Sequence, residues 1–522
     1  MGLHADTQTR IRRSQNALIR HILSAADRRR SLLTGISTLL VTSNCALSEP
    51  ARTDINFHSA AEAVAFYLEA AGEKNSLNAY VYLDGDRARR RAERIDADRT
   101  RDFPLKGWVL AVKDNIHVEG MPNAAGTESL RNFWPDRSSP VVERLQAAGA
   151  VMLGKTNMHE LAYGVTNNNF AFGPSHNPVD TTRIPGGSSG GSAVVVAAGL
   201  ARAALGTDTG GSVRIPAALT GVVGYRPTTG RYQNDDVALI SPTRDTIGLI
   251  TKSVSDAMTL DDALMVRTRS TETVSVDGVR LGLPTSLFFE NLDPDVDAAI
   301  RDALATLQTR GAVIVPVDVE AIASLNQKVG FPIVLHETGI EIPQYLKKYN
   351  TGVSVDELRS KIASPDVRIL VDMAFSGVVS QSDYDNAVGP LRQKLIDEYR
   401  RCFESNSIDA LVFPTTPITA RKIDDILGGV TVNGALRDTF ATYIQNTDPG
   451  SNAGLPGISI PVGVDREGLP IGLELDARPG DDDRLLSIAS AIERILAGVE
   501  DAGSGDPSHR ANSISKSDVS GN

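Results

Sequence analysis

Two glycine–serine stretches and one lysine supply residue types from which acyl-transfer chemistry is built. The stretches are Gly186-Gly187-Ser188-Ser189-Gly190-Gly191-Ser192 and Gly206-Thr207-Asp208-Thr209-Gly210-Gly211-Ser212, and the lysine is Lys113 in Val109-Leu110-Ala111-Val112-Lys113-Asp114-Asn115. A serine hydroxyl is a weak nucleophile until a neighbouring base takes its proton. A Thr-Gly-Gly-Ser turn would expose successive backbone N–H groups around the Ser212 hydroxyl, and such preorganised donors stabilise a tetrahedral oxyanion. An ammonium carried into a core on an apolar strand is costly, so Lys113 is either paired or neutral. A neutral lysine amine is a competent base.

Other readings of these residues fare worse. A phosphate-cradling loop needs G-x-x-x-x-G-K-[ST], and neither stretch has the lysine; the dinucleotide fingerprint G-x-G-x-x-G is missing too. A flexible linker does not fit, because dense apolar sequence flanks the second stretch at 193–205 and 213–223. Glycine within packed sequence points to unusual backbone angles or close backbone approach. Gly187-Ser188-Ser189-Gly190-Gly191 matches G-x-S-x-G and nominates Ser189 as nucleophile, but that elbow requires a strand before it and the sequence offers a polar loop, 176–185. His117, His159 and His176 are the histidines nearest in sequence, and none sits in a motif that fixes a triad. For Lys113 alone, a surface residue paired with Asp114 is the ordinary reading. The two serine motifs overturn it.

These residues need a scaffold. Residues 60–71, AAEAVAFYLEAA, read as an amphipathic helix and 107–112, GWVLAV, as a short buried strand leading into Lys113. From there to about Val254, glycine-punctuated segments alternate between strand-like and helix-like, as in a mixed α/β sheet. Residues 201–206 can be a strand or helix end, and Val213 onward can begin a helix. Residues 279–284, 295–311 and 312–319 read as strand, helix, strand. Residues 320–405 are helix-rich with few glycines, suggesting a cap or peripheral layer, while 408–417 and 454–463 look like returning core strands.

Composition bounds the rest. The 522 residues hold 41% hydrophobic side chains, ample for a core. Lysine plus arginine number 53 against 64 acids, a balance of −11 that disfavours a nucleic-acid partner. Two cysteines, Cys45 and Cys402, exclude a disulfide framework and a thiolate-rich metal site. No apolar run reaches the roughly 18 residues of a membrane span. The first 30 residues carry seven arginines against two acids, followed by an apolar stretch 32–41 and small or polar residues 42–48. That is the outline of an export signal, and Arg29-Arg30-Ser31-Leu32-Leu33 resembles the twin-arginine type. The alternative is an amphipathic helix packed on the body. If 28–47 is a signal the protein is exported to the periplasm; otherwise it is cytoplasmic. The expected organisation is an extension at 1–55, a catalytic domain at 56–498 and a disordered polar tail at 499–522.

Lys113 in AVKDNI, Ser188 in GGSSGGS and Ser212 in GTDTGGSVRIPA, in that order, resemble the three marks of the amidase signature family. The resemblance runs from about Ala60 to Leu496 and includes NMHELAYG (157–164) and NAGLPGISIPVG (452–463). It implies an α/β fold, a central mixed sheet flanked by helices. It also implies hydrolysis of a carboxamide through an acyl-enzyme. Ser212 would be the nucleophile, Ser188 a relay carrying a cis peptide bond, Lys113 the base, and the amides of Thr209, Gly210, Gly211 and Ser212 the oxyanion hole. Ser189 would be a structural hydroxyl. No cofactor and no metal are implied. The implied partner is a small-molecule amide, with no nucleic acid and no stable membrane span, and a homodimer is allowed. Family members include free-standing amidases, an ammonia-supplying amidotransferase subunit, and hydrolases of lipid amides and urea derivatives. The subunit typically has Arg-Gln-Pro after its nucleophile, where this chain has Arg214-Ile215-Pro216. GYRPTTGRY (224–232) and SPTRDTIGL (241–249) look most like hydrolases of arylacetamides such as indoleacetamide or mandelamide, with anilides, carbamates and esters as alternatives.

Overall fold

The computed structural model describes residues 57–267, 274–284 and 286–498. The export-signal reading and the tail at 499–522 lie outside these residues.

Among the described residues the core is one sheet of eleven strands. In chain order its strands are β1 (Tyr80–Leu83), β2 (Val109–Lys113), β3 (Val151–Thr156), β4 (Ala203–Asp208), β5 (Val223–Arg226), β6 (Thr246–Thr251), β7 (Arg280–Pro284), β8 (Val313–Val317), β9 (Ala410–Pro414), β12 (Gly457–Val464) and β13 (Pro470–Asp476). A separate ribbon pairs β10 (Val430–Val432) with β11 (Ala435–Arg437). Across the sheet the order is β1-β3-β2-β4-β6-β5-β12-β13-β9-β7-β8. The β3-β2-β4 and β9-β7-β8 groups are parallel, and the strands between are antiparallel. The fold is therefore mixed α/β, with helices covering the sheet.

The central strands are buried on both faces, which is why they read as continuous apolar runs and not as alternating ones. Every residue of β2 and β4 is buried. On one face Leu110, Val112, Leu205, Leu249, Ile458 and Leu473 share a core. On the other, Ala111, Ala204 and Ile250 pack against Val194 and Val195 of the helix Gly190–Ala197. Burying several such side chains contributes about 1.5–3 kcal/mol each to holding the middle of this sheet together.

The segment from 320 begins with the helix Glu320–Lys348, which runs through Pro332 and Pro343, followed by Val355–Lys361, Pro365–Phe375, Gln381–Asn386 and Arg392–Asn406. It docks on the body through Ile342, Tyr345, Leu358, Val367 and Val371, which share a core with Leu161 and Ile240. Among the described residues no helix is long and apolar enough to cross a membrane.

Candidate active site

Lys113 ends β2 and is fully buried. Its Nζ lies 2.8 Å from Ser188 Oγ and 2.8 Å from Thr207 Oγ1, and the Thr207 carbonyl is 3.4 Å away. Asn115 Nδ2 donates to the same Thr207 hydroxyl at 3.1 Å. Among the described residues no carboxylate pairs directly with Lys113, and Asp114 turns instead to Lys155, 3.5 Å away. Burial pushes the Lys113 amine down to about 7, against the opposing pull of Asp208 and Asp245. Lys113 is therefore not a surface residue paired with Asp114.

The first glycine–serine stretch is a loop that enters the helix Gly190–Ala197, with a cis Gly187–Ser188 peptide bond. Its glycines are required by close backbone approach. A Cβ on Gly187 would sit 2.8 Å from the Asn167 amide nitrogen, and one on Gly191 2.6 Å from the Ala79 carbonyl oxygen. Ser189 is fully buried; its Oγ donates to the Thr207 carbonyl at 3.2 Å, and its N–H donates to the Ser212 carbonyl at 3.1 Å. That last bond fastens the two stretches together. No strand precedes Ser189, so the context the elbow requires is missing.

The second stretch is the end of β4 and a turn into the helix Arg214–Thr220. Gly211 has φ +130°, a conformation open to glycine, and a Cβ there would run into Thr447. Thr447 Oγ1 donates to the Gly210 carbonyl at 2.6 Å, holding the turn from outside. From inside, Asp208 accepts the Gly211 N–H at 2.8 Å and the Val213 N–H at 3.1 Å. The Gly211 amide, one of four expected to face an oxyanion, is thus already engaged. The amides of Thr209, Gly210 and Ser212 have no protein partner among the described residues. Thr209 Oγ1 donates to Asp245 Oδ1 at 2.5 Å.

Thr209, Gly210 and Ser212 open into a cavity of about 1020 Å³. Its walls include Ile215, Ile240, Phe331, Leu335, Phe440 and Ile444, with Arg244 and Asp448 as a charged pair beside the turn. Many of the wall residues come from 323–391, so the layer read as peripheral forms one side of the cavity. The wall is mixed: Tyr163, Phe331, Phe440 and aliphatic side chains stand beside polar ones such as Asn326, Gln327, Lys328 and Gln445.

The three histidines are occupied elsewhere. The His117 Nε2 and Tyr345 hydroxyl are 2.7 Å apart, His159 Nε2 lies 3.1 Å from Asp366, and His176 Nδ1 is 2.7 Å from the Thr181 carbonyl. Residues that sequence reasoning missed are Thr207 and Asn115 beside Lys113, and Thr447 outside the turn. The first two stood within the motifs already singled out; Thr447, more than 200 residues away, had no signal.

Fold and site together define a mixed α/β scaffold in which a buried lysine bonds Ser188 of one glycine–serine stretch and Thr207 of the other. The Amidase family model matches residues 62–486, and the chain belongs to the amidase signature family. Indoleacetamide hydrolase of Agrobacterium vitis is 40% identical over 440 residues, 84% of this chain and 94% of that protein. Mandelamide hydrolase of Pseudomonas putida is 41% identical over 449 residues, 82% of this chain and 87% of the relative. A crystal structure described as an amidase superposes with a TM-score of 0.74 at 32% identity, covering 83% of this chain and 96% of that one. The protein is an amidase-family hydrolase.

Proposed function

We propose that this protein hydrolyses aryl- or arylalkyl-carboxamides to the acid and ammonia through an acyl-enzyme on Ser212. The observation that carries the reading is the buried Lys113 amine, held near neutrality and 2.8 Å from the Ser188 hydroxyl. Ser212 Oγ attacks the carboxamide carbon. Its proton passes to Ser188 Oγ as the Ser188 proton passes to Lys113 Nζ. The negative oxygen is met by the open amides of Thr209, Gly210 and Ser212, with Gly211 holding the turn in shape. Collapse breaks the C–N bond, and the proton on Lys113 returns through Ser188 to the leaving nitrogen. Water then repeats the sequence on the ester and releases the acid.

The substrate class is supported by the similarity to proteins named for indoleacetamide and mandelamide, and by the apolar side of the cavity formed by Tyr163, Ile215, Ile240, Phe331, Leu335 and Phe440. The test is ammonia release by the purified chain from phenylacetamide, benzamide and an aliphatic amide, without tRNA or partner proteins. Turnover fastest on phenylacetamide supports the proposal. Ammonia release only with added partners, or a preference for anilides, carbamates or esters, contradicts it.

A further inference from the structure

Behind the Ser212 turn lies a charged cluster closed to solvent. The side chains of Asp208, Arg214, Arg226, Glu474 and Asp476 are each no more than 1% exposed. Asp208 accepts from the Gly211 and Val213 amides, from Arg214 Nε and Nη2, and from Arg226 Nη1, all within 3.1 Å, so it is ionised. Arg214 Nη1 then reaches Glu474 Oε1 at 2.9 Å, whereas Asp476 Oδ1 stands 3.8 Å off.

Glu474 and Asp476 lie two residues apart on β13 and therefore on one face of the strand. Among the described residues, Glu474 Oε2 and both oxygens of Asp476 are buried without a donor in hydrogen-bond geometry, while the Thr415 hydroxyl beside Glu474 favours its charged form. Three carboxylates against two guanidiniums would leave one uncompensated negative charge in the interior, which folded proteins avoid at high cost. An acidic O–H removes that charge and supplies the missing donor at once.

We propose that Glu474 and Asp476 share one proton at neutral pH, carried by Asp476 and donated to Glu474. The neutral cluster so formed positions Arg214, and through Asp208 the Ser212 turn. Both are positioning residues. Glycines clear the space: a Cβ on Gly457 would lie 2.8 Å from Glu474 Oε1 and would collide with Asp476, as would one on Gly450. Burial raises both acids, and the Glu474 charge raises Asp476 further, against Arg214 and Arg226. The remaining titratable group facing Asp476 is Tyr399 from the helix Arg392–Asn406, a buried phenol held neutral by burial.

The sign of the pH effect follows. The folded state holds a proton that unfolded carboxylates have released by neutral pH, so wild-type stability falls as pH rises and that proton is lost. Asp476→Asn is permanently neutral and carries its own N–H donor. Its kcat/KM at neutral pH is expected within about threefold of wild type, with a Tm that declines less from mildly acidic to alkaline buffer. A protonated-carboxyl C=O stretch seen in wild type by infrared spectroscopy disappears in this variant. The double variant Glu474→Gln/Asp476→Asn leaves two guanidiniums facing one carboxylate and loses about a hundredfold in activity, or does not fold. An Asp476→Asn protein that fails to fold, that is as impaired as the double variant, or that keeps the wild-type pH slope and spectrum overturns the proposal. So does a double variant no worse than Asp476→Asn alone.

Discussion

Lys113 and Ser188, 75 positions apart in the chain, meet through a 2.8 Å hydrogen bond in a part of the molecule closed to water. Two constraints produce that meeting. The doubly buried strand β2 delivers the lysine at its end, and a glycine-framed loop, packed against 157–167, delivers the serine. The first lowers the affinity of the amine for a proton, and the second sets the Ser188 hydroxyl against the amine, beside that of Thr207.

The pH dependence of turnover follows from that burial. The proposed base, Lys113, would act only as the free amine, and burial brings it down to about 7. Rates on an uncharged amide are expected to climb through that value and level off on the alkaline side. The kcat/KM profile of the purified enzyme checks this. A rate that falls from mildly acidic to neutral pH contradicts the assignment.

Replacement of the lysine separates chemistry from folding. Lys113→Ala is expected to lose roughly 10³-fold or more in kcat, since the base is removed. The circular dichroism spectrum should remain that of the folded protein, because the surrounding β2 contacts are apolar. Steady-state kinetics at saturating phenylacetamide measures the first, and near-wild-type turnover would exclude Lys113 as the base.

Gly211→Ala tests the shape of the turn. The added methyl meets Thr447, whose Cβ would be 2.7 Å away, at a φ that alanine rarely adopts. The Asp208-to-Gly211 bond is displaced with it. A loss of about 10²-fold in kcat is expected, with KM changed much less. Comparable kcat in the two proteins would mean that the turn is not held as described.

The helical layer is held by a carboxylate from the body. Glu160 is fully buried and accepts from Thr127 Oγ1 at 2.8 Å, from the Ala363 N–H at 3.1 Å and from the Ser364 N–H at 2.8 Å. These amides open the helix Pro365–Phe375, whose Leu370 lines the cavity. Glu160→Ala strands them and is expected to cost about 2 kcal/mol or more. Hydrogen exchange should quicken across residues 363–371, and KM should rise more than kcat falls. Unchanged protection there would contradict the clasp.

The motifs that hold Lys113, Ser188 and Ser212 were more legible than their surroundings, for a physical reason. Lys113, Ser188 and Ser212 stand in short motifs because tight turns and close backbone approach restrict local sequence, and glycine records those restrictions. The central strands were legible because burial on both faces leaves continuous apolar runs, as in 109–112 and 410–413. The partners that fix the turn were not. Thr447 reaches Gly210 across 237 positions and Arg214 reaches Glu474 across 260, distances over which no local pattern links two polar residues. The cavity wall was hidden for a different reason. Residues 320–405 have the periodicity of any amphipathic helical layer, and periodicity reports that a face is buried without reporting what it encloses.

The central claim, Ser212 as nucleophile, is tested most directly by covalent labelling with a fluorophosphonate and peptide mass spectrometry. The label is expected on Ser212, with labelling and turnover both abolished in Ser212→Ala. Ser188→Ala should slow both severely without moving the label, and Ser189→Ala should be the mildest of the three. A label on Ser189, or an active Ser212→Ala enzyme, would contradict the account.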